Sequence, residues 1–392
     1  MRAAAFLLAA GVFLSGCVPD EGEGVASPQV AGAGGCTSAV AFEAAPLNAC
    51  SGGHARLVFV GDVLLHEQLQ ALGYKIGFGP IWSQPAHYLR GADIAVANLE
   101  GAVAPGVVRG GQMRADPGPV FDGAVYTGFP QFNYHPVVLR DLKAAGVDII
   151  TTANNHAMDR GALGVDLTLA EARKAGLVPL GTVARGAPRN FVQRRDSPVG
   201  QISFIACTFG TNGIADGGQT LQCYRDRATL LGLVRREAAD LAVAGVIVLP
   251  HWGTEYQSAP NANQQALARA LAAAGATAVI GTHPHAVQPF TTLPGRAGRK
   301  VAVAYSTGNF VATQPGVPSK YEAMAVVDLC KGASGGAVVE HFGWVAMEMT
   351  FTPHGYWANL APRGAAGQAG QAEAYLRRIA PGFSAQPLAC TP

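Results

Sequence analysis

Six short polar clusters hold the residues able to do chemistry, and each follows an apolar run. In chain order they are Gly61-Asp62, Asn98-Leu99-Glu100, Asn154-Asn155-His156-Ala157-Met158-Asp159, His251-Trp252-Gly253-Thr254-Glu255, Gly281-Thr282-His283-Pro284-His285 and Ser306-Thr307-Gly308-Asn309-Phe310. Carboxylates, carboxamides and imidazoles supply hard oxygens and ring nitrogens, which suit Zn, Mn, Fe or a similar divalent ion. No thiolate belongs to the set. A lone histidine after a strand is usually structural. Here five of the six clusters hold a group suited to ligation, and two histidines sit two residues apart in one tight loop. The set of Asp, Glu, Asn and four His predicts a metal site holding one or two divalent transition-metal ions. Two ions sharing a carboxylate, about 3.5–4 Å apart, polarise a phosphoryl oxygen and generate hydroxide near neutral pH.

The apolar runs that must position these groups cover 57–61, 94–97, 147–152, 246–250, 276–281 and 301–305. They are short and β-branched, as buried strands are. Helix-like sequence lies between several of them, at 136–145, 164–175, 225–244 and 261–274. The alternation predicts an α/β domain, and in such a sheet the C-terminal strand ends share one edge where ligands bind. Strand-like runs at 201–207, 323–329 and 344–351 meet through turns without helices. They predict antiparallel additions, with a second sheet packed on the first. A final helix is expected at 371–379. His54, His87, His135, His341 and His354 lie outside the polar clusters and read as surface or packing residues.

The first seventeen residues, MRAAAFLLAAGVFLSGC, join one basic residue to an apolar stretch too short to span a bilayer. Small residues running into Cys17 resemble a lipobox, which implies a lipidated Cys17 and an exported, lipid-anchored protein on the periplasmic or extracellular face. An ordinary secretory leader with an incidental cysteine is the alternative. Val18 stands where an aspartate is associated by resemblance with inner-membrane retention. Residues 18–54 are Gly-, Ala- and Pro-rich and read as a flexible tether, 55–360 as the domain and 361–392 as a C-terminal extension. Besides Cys17 there are six cysteines and no CxxC pair, so disulfides are expected rather than a zinc ribbon. Pairing nearest neighbours gives Cys36–Cys50, Cys207–Cys223 and Cys330–Cys390. With 28 basic and 26 acidic side chains and no Lys/Arg-rich run, the chain is not read as a nucleic-acid binder.

Taken together, the series GD, NLE, NNHxxDxG, HWGxEY, GTHPH and STGNF resembles the CapA or poly-γ-glutamate capsule synthesis family, related to the calcineurin-like metallophosphoesterases. The likeness runs from Leu57 to Phe310. It implies a four-layer α/β/β/α sandwich with mixed sheets and a place in a capsule or poly-γ-glutamate synthesis complex. It also implies roles. Asp62 and His285 would hold a first ion, Asn155, His251 and His283 a second, and Glu100 would bridge them. His156 would act beside the substrate as a catalytic group, oriented by Asp159. Asn98, Glu255 and Asn309 are further candidates. Glu255 and Tyr256 either line the cleft or sit in an exposed loop, and Ser306 and Asn309 shape the pocket floor.

Two departures stand out. The superfamily places a histidine two residues after the first aspartate, and here that position is Leu64. His66 is the nearest imidazole, either a helper ligand or a packing residue. The superfamily's GDxxD is replaced by Asn98-Leu99-Glu100, a longer bridging carboxylate. Two functions follow: a metal-dependent hydrolase of a phosphoester or related envelope-polymer bond, or an accessory component of polymer synthesis and export with a structural metal.

Overall fold

The computed structural model describes residues 40–387 except 334 and 363. In chain order the strands are β1 (Val40–Phe42), β2 (Gly52–Val63), β3 (Ile94–Leu99), β4 (Ile149–Thr151), β5 (Val178–Leu180), β6 (Val192–Arg195), β7 (Gln201–Thr208) and β8 (Val243–His251). They continue with β9 (Ala278–Ile280), β10 (Phe290–Pro294), β11 (Lys300–Ala304), β12 (Asn309–Val311), β13 (Tyr321–Lys331), β14 (Ala337–Thr352), β15 (Gly355–Leu360) and β16 (Ala385–Pro387). The helices are α1 (Glu67–Ile76), α2 (Ser83–Arg90), α3 (Val137–Ala144), α4 (Gly161–Lys174), α5 (Arg227–Ala239), α6 (Ala262–Ala274) and α7 (Gly367–Ile379).

Two mixed sheets result. One runs β15-β14-β13-β2-β3-β4-β5 with β12 added against β2, and the other runs β10-β11-β9-β8-β7-β6. Side chains alternate between faces of a strand, and this sorts the apolar residues into layers. Leu57 and Phe59 of β2 meet Phe204, Ile247, Ala278 and Ala302 of the other sheet in a shared core. Val58 and Val60 point the other way, onto Leu69, Leu89 and Leu139 of α1, α2 and α3. Val246, Val248 and Val303 likewise face Leu230, Val234 and Leu267 of α5 and α6. The layers are helix, sheet, sheet, helix, as the resemblance implies.

Of the runs expected as antiparallel additions, 323–329 and 344–351 lie in the antiparallel β13 and β14, whereas 201–207 is β7, parallel to β8, and none forms a sheet of its own. β13, β14 and β15 extend the first sheet beside β2, and β6 caps the edge of the second beside β7. The helix expected over 225–244 stops at Ala239, because Asp240 turns extended (ψ 116°) and β8 begins at Val243. α1 and α2 were not expected from the sequence. Among the described residues no helix is long and apolar enough to cross a membrane.

The folded unit also reaches beyond the boundaries drawn from sequence. Residues 40–54 were assigned to the tether, yet β1 pairs with β16, and Asn48 bonds the backbone of Lys300 and Val339. At the other end, Tyr375 and Leu376 of α7 join the core shared by the sheets. Cys207 and Cys223 are bonded as expected, but Cys50 bonds Cys330. That pairing replaces both Cys36–Cys50 and Cys330–Cys390. The start of β2 runs antiparallel to the end of β13, with His54 opposite Cys330, so the fold closes a long loop that chain proximity does not suggest. Cys17, Cys36 and Cys390 lie outside the described residues.

Candidate metal centre

Parallel strands from both sheets, and the loops that follow them, deliver the donors to one edge. Asp62 is placed by an irregularity in β2. Phe59 pairs with Val96 but Asp62 pairs with Asn98, so three steps on β2 match two on β3. An extra residue of this kind bends a strand and re-aims its side chains. Gly61 permits the bend: a Cβ there would lie 1.9 Å from the Gly308 carbonyl oxygen. Glu100 follows β3, and the Tyr134 hydroxyl donates to its carbonyl at 2.6 Å. Asn155 and His156 follow β4, where Asn154 donates to the Leu99 carbonyl at 2.7 Å and ties the two loops. His251 ends β8. His283 and His285 follow β9, both in the left-handed region (φ 99° and 50°). Such backbone is held only where surrounding contacts over-determine it; here the His283 N–H donates to Asp62 Oδ2 at 3.3 Å.

All six expected donors are buried together. At this edge the ligand atoms form two groups, each with its members within 4.8 Å of one another: Asp62, Glu100 and His251, and Glu100, His283 and His285. Glu100 is common to both, as a bridging carboxylate must be. Both groupings overlap the expected one: Asp62 lies 3.2 Å from His285 and 3.9 Å from His251, and the His251 and His283 rings are 4.7 Å apart. Asn155 stays next to His251, its Oδ1 2.8 Å from His251 Nε2. His285 Nδ1 is 3.2 Å from Asp62 Oδ2 and 2.9 Å from Asn309 Oδ1.

The donor set fits a cation on its own evidence. Both carboxylate oxygens of Glu100 are buried with no hydrogen-bond partner, and so is His283 Nδ1. Unpaired buried charge is costly unless a cation or proton meets it. Burial, then the neighbouring Asp62, holds the Glu100 carboxyl well above its ordinary range. Burial and the adjacent imidazoles hold His251 well below its usual value and lower His283 to about 3. Neutral imidazoles and a carboxylate crowded by another carboxylate are what a divalent ion stabilises.

Other candidates take supporting places. Asn98 is 1 % exposed and donates to Asp62 Oδ1 at 2.7 Å, while its Oδ1 accepts from Thr151 and Asn154. It touches two ligands, Asp62 and His251, lying 3.2 Å from His251 Nδ1. Asn309 does the same for His285, and Glu322 Oε2 accepts its backbone N–H at 2.6 Å. Asp159 Oδ2 holds His156 Nδ1 at 2.7 Å and accepts the Phe132 N–H at 2.6 Å. His66 is in neither donor group. It precedes α1, its Nδ1 accepts the Thr313 N–H at 3.4 Å, and burial lowers it to about 4. Leu64 is core. Glu255 is exposed at the rim. Of the histidines set aside by sequence, His54 pairs with Glu340 and His341 stacks on Phe42. Sequence reading missed Thr151, Thr282, Gln314, Glu322 and the rings of Phe132 and Phe209. Their only signal is position beside the clusters, which without a fold is indistinguishable from core.

Residues 56–314 match the family described as Bacterial capsule synthesis protein PGA_cap. The chain is similar to the PGA biosynthesis protein CapA of Bacillus subtilis (strain 168), 27% identical over 286 residues, 71% of this chain and 68% of that protein. It is also similar to the capsule biosynthesis protein CapA of Bacillus anthracis, 26% identical over 277 residues, 68% of this chain and 62% of that protein. Among solved structures, a hypothetical protein from Thermus thermophilus aligns over 75% of this chain and 99% of its own, with 18% identity and a TM-score of 0.43.

Proposed function

Because the chain belongs to the bacterial capsule synthesis protein family PGA_cap, we propose that it serves capsule or poly-γ-glutamate-type polymer assembly through a metal-dependent hydrolytic centre. The substrate is a phosphoester or a related envelope-polymer bond, and the cofactor is one or two ions of Mn, Fe or Zn. The observation that carries this reading is Glu100, shared by both donor groups with both oxygens buried and neither hydrogen-bonded.

Asp62, Glu100, Asn155, His251, His283 and His285 would hold the metal, which supplies Lewis-acid polarisation of the phosphoryl oxygen and a water of lowered pKa. The chain's own contribution is positioning and proton transfer. Asn98 and Asn309 fix the rotamers of Asp62 and His285. His156 Nδ1–H donates to Asp159, so Nε2 is the nitrogen that would exchange a proton with the leaving oxygen. The buried Asp159 keeps that tautomer in place.

The reading includes export and a lipid anchor at Cys17, supported by the leader and by disulfides that suit an oxidising compartment. One observation favours an accessory role with a structural metal instead: Leu64, at the position of a superfamily ligand, is buried in the core. The deciding experiment counts transition metals in the purified protein and assays phosphomonoesters, phosphodiesters and poly-γ-glutamate beside Glu100→Ala and His283→Ala. Bound metal with turnover lost in both variants is expected. Metal-free protein, with both variants supporting polymer assembly in cells as wild type does, would sink the hydrolase. Metal without turnover on any substrate would leave the accessory role. Acyl labelling lost in Cys17→Ser tests the anchor separately.

A further inference from the structure

The walls of the cleft carry rings and acids. The Phe209 ring, half-buried, is 4.4 Å from His283 and 6.3 Å from His251. Tyr256 lies 6.0 Å from His285 and is 47% exposed. Phe132 stands edge-on to His156 at 4.8 Å and to His66 at 5.4 Å. Three residues before it, Phe129 is 76% exposed. Its neighbour Gly128 packs on the same histidine, since a Cβ there would lie 3.6 Å from His66 Cα. One exposed phenylalanine is ordinary on a surface. This one shares its loop with Gly128, packed on His66, and with Phe132, packed on His156. Three separate loops thus bring Phe132, Phe209 and Tyr256 against histidines of the site, and Phe129 stands exposed on the same loop as Phe132.

The charges around that set have one character. Those acting on Glu100 are the carboxylates Asp62, Glu255 and Asp159, and those acting on His251 and His283 are imidazoles. The ion pairs of Asp62 and Glu100 within the described residues are with His251 and His285. Glu255 stands exposed beside Tyr256 at the rim. Metal would balance the buried carboxylates and take the phosphoryl group. Among the described residues no Lys or Arg is ion-paired with Asp62, Glu100 or Asp159, and Glu255 would repel further negative charge on the substrate.

We propose that the substrate is a phosphoester whose second substituent is uncharged and offers an apolar face, as a sugar ring or polyprenyl chain does, and that the cleft does not grip a polyanionic chain. The phosphoryl group would lie on the metal, and the substituent would rest on Phe129, Tyr256 and Phe209, where rings gain from stacking and from buried area. This rests on the reading of the centre as one that binds phosphoesters.

Calorimetric titration of the full-length, Mn-loaded protein tests it without turnover. Phenylphosphonate, octylphosphonate and phosphonoacetate share the metal-binding group and differ in the substituent. Phenyl- or octylphosphonate should bind about tenfold tighter than phosphonoacetate, roughly the worth of one or two such contacts. A tighter phenyl compound identifies a ring as the natural substituent, and a tighter octyl compound a lipid chain. Phe129→Ala, at an exposed position, should weaken the apolar ligand by about three- to tenfold and leave phosphonoacetate unchanged. Glu255→Gln should tighten phosphonoacetate alone. Phosphonoacetate binding as tightly as the apolar ligands, or a preference left undiminished by Phe129→Ala, would overturn the proposal while leaving the hydrolase intact. Binding of none of the three by protein that holds metal would overturn both.

Discussion

At the scale of single residues, the centre concentrates unfavourable electrostatics that an ion relieves. Glu100 has its pKa raised by burial and by Asp62, above the ordinary carboxyl value of 4.5. A raised folded-state value means that the stability linked to this group is full below 4.5 and is lost as pH climbs through the folded value. His283 has the opposite sign. Lowered from 6.5 to about 3 by burial, it contributes stability above 6.5 that is lost as pH falls toward 3. Chelated protein should therefore lose stability on both sides of an optimum near about pH 5–6. Glu100→Gln removes the charge while keeping the shape. In EDTA at about pH 8 it should be more stable than wild type by about 1–2 kcal/mol, and it should bind metal at least about tenfold more weakly. Denaturant midpoints and metal counts measure both. A variant that is less stable in EDTA and equally loaded would contradict this account. Asn98 tests the supporting layer. Asn98→Leu leaves Asp62, Thr151 and Asn154 short of a partner and should cost about 2–4 kcal/mol, read from urea unfolding.

At the scale of elements, the bulge in β2 is the device that aims Asp62. Gly61 meets the Gly308 carbonyl so closely that a Cβ would strike backbone on the adjoining strand segment. Gly61→Ala must therefore push β2 from the segment that carries Asn309, the partner of His285. We expect a loss of about 2–4 kcal/mol with reduced metal occupancy. Gly79→Ala, where nothing lies within 4 Å and φ is not positive, should stay within about 0.5 kcal/mol of wild type. Equal effects at the two glycines in thermal melts would refute the argument. The cores of these strands were readable from sequence because a short β-branched run bounded by turn residues seldom forms anything but a buried strand. Their ends were not: β2 was read as 57–61 but runs Gly52–Val63, since its exposed start owes its conformation to pairing with β13. α1 and α2 were missed because their mixed, short patterns become helical only against the outer face of the sheet.

At the scale of the whole molecule, the Cys50–Cys330 bond ties the segment leading into β2 to β13 across a separation of 280 residues. Chain entropy makes such a closure worth on the order of 5 kcal/mol, against about 3 kcal/mol for a loop the size of Cys207–Cys223. The Cys50→Ser/Cys330→Ser pair should accordingly lower the urea midpoint more than Cys207→Ala/Cys223→Ala. An equal or smaller shift would show that the unfolded chain is already restrained there.

Composition, strand periodicity and the order of six polar clusters were enough to predict an α/β chain with its donors on one strand edge, because alternation and strand-end placement are local consequences of sequence. Which ligands neighbour which depended on the third dimension. His251 is remote from Asp62 and Glu100 along the chain; the packing of two sheets puts its ligand atom within 4.8 Å of both. Glu322, Asn98 and Asn309 acquired their roles the same way, as contacts between strands and loops that the fold brings together. The disulfide at Cys50 and the rings around the cleft belong to that class too. Chain proximity says nothing about partners chosen by strand register and by loops that meet only once both sheets are closed on each other.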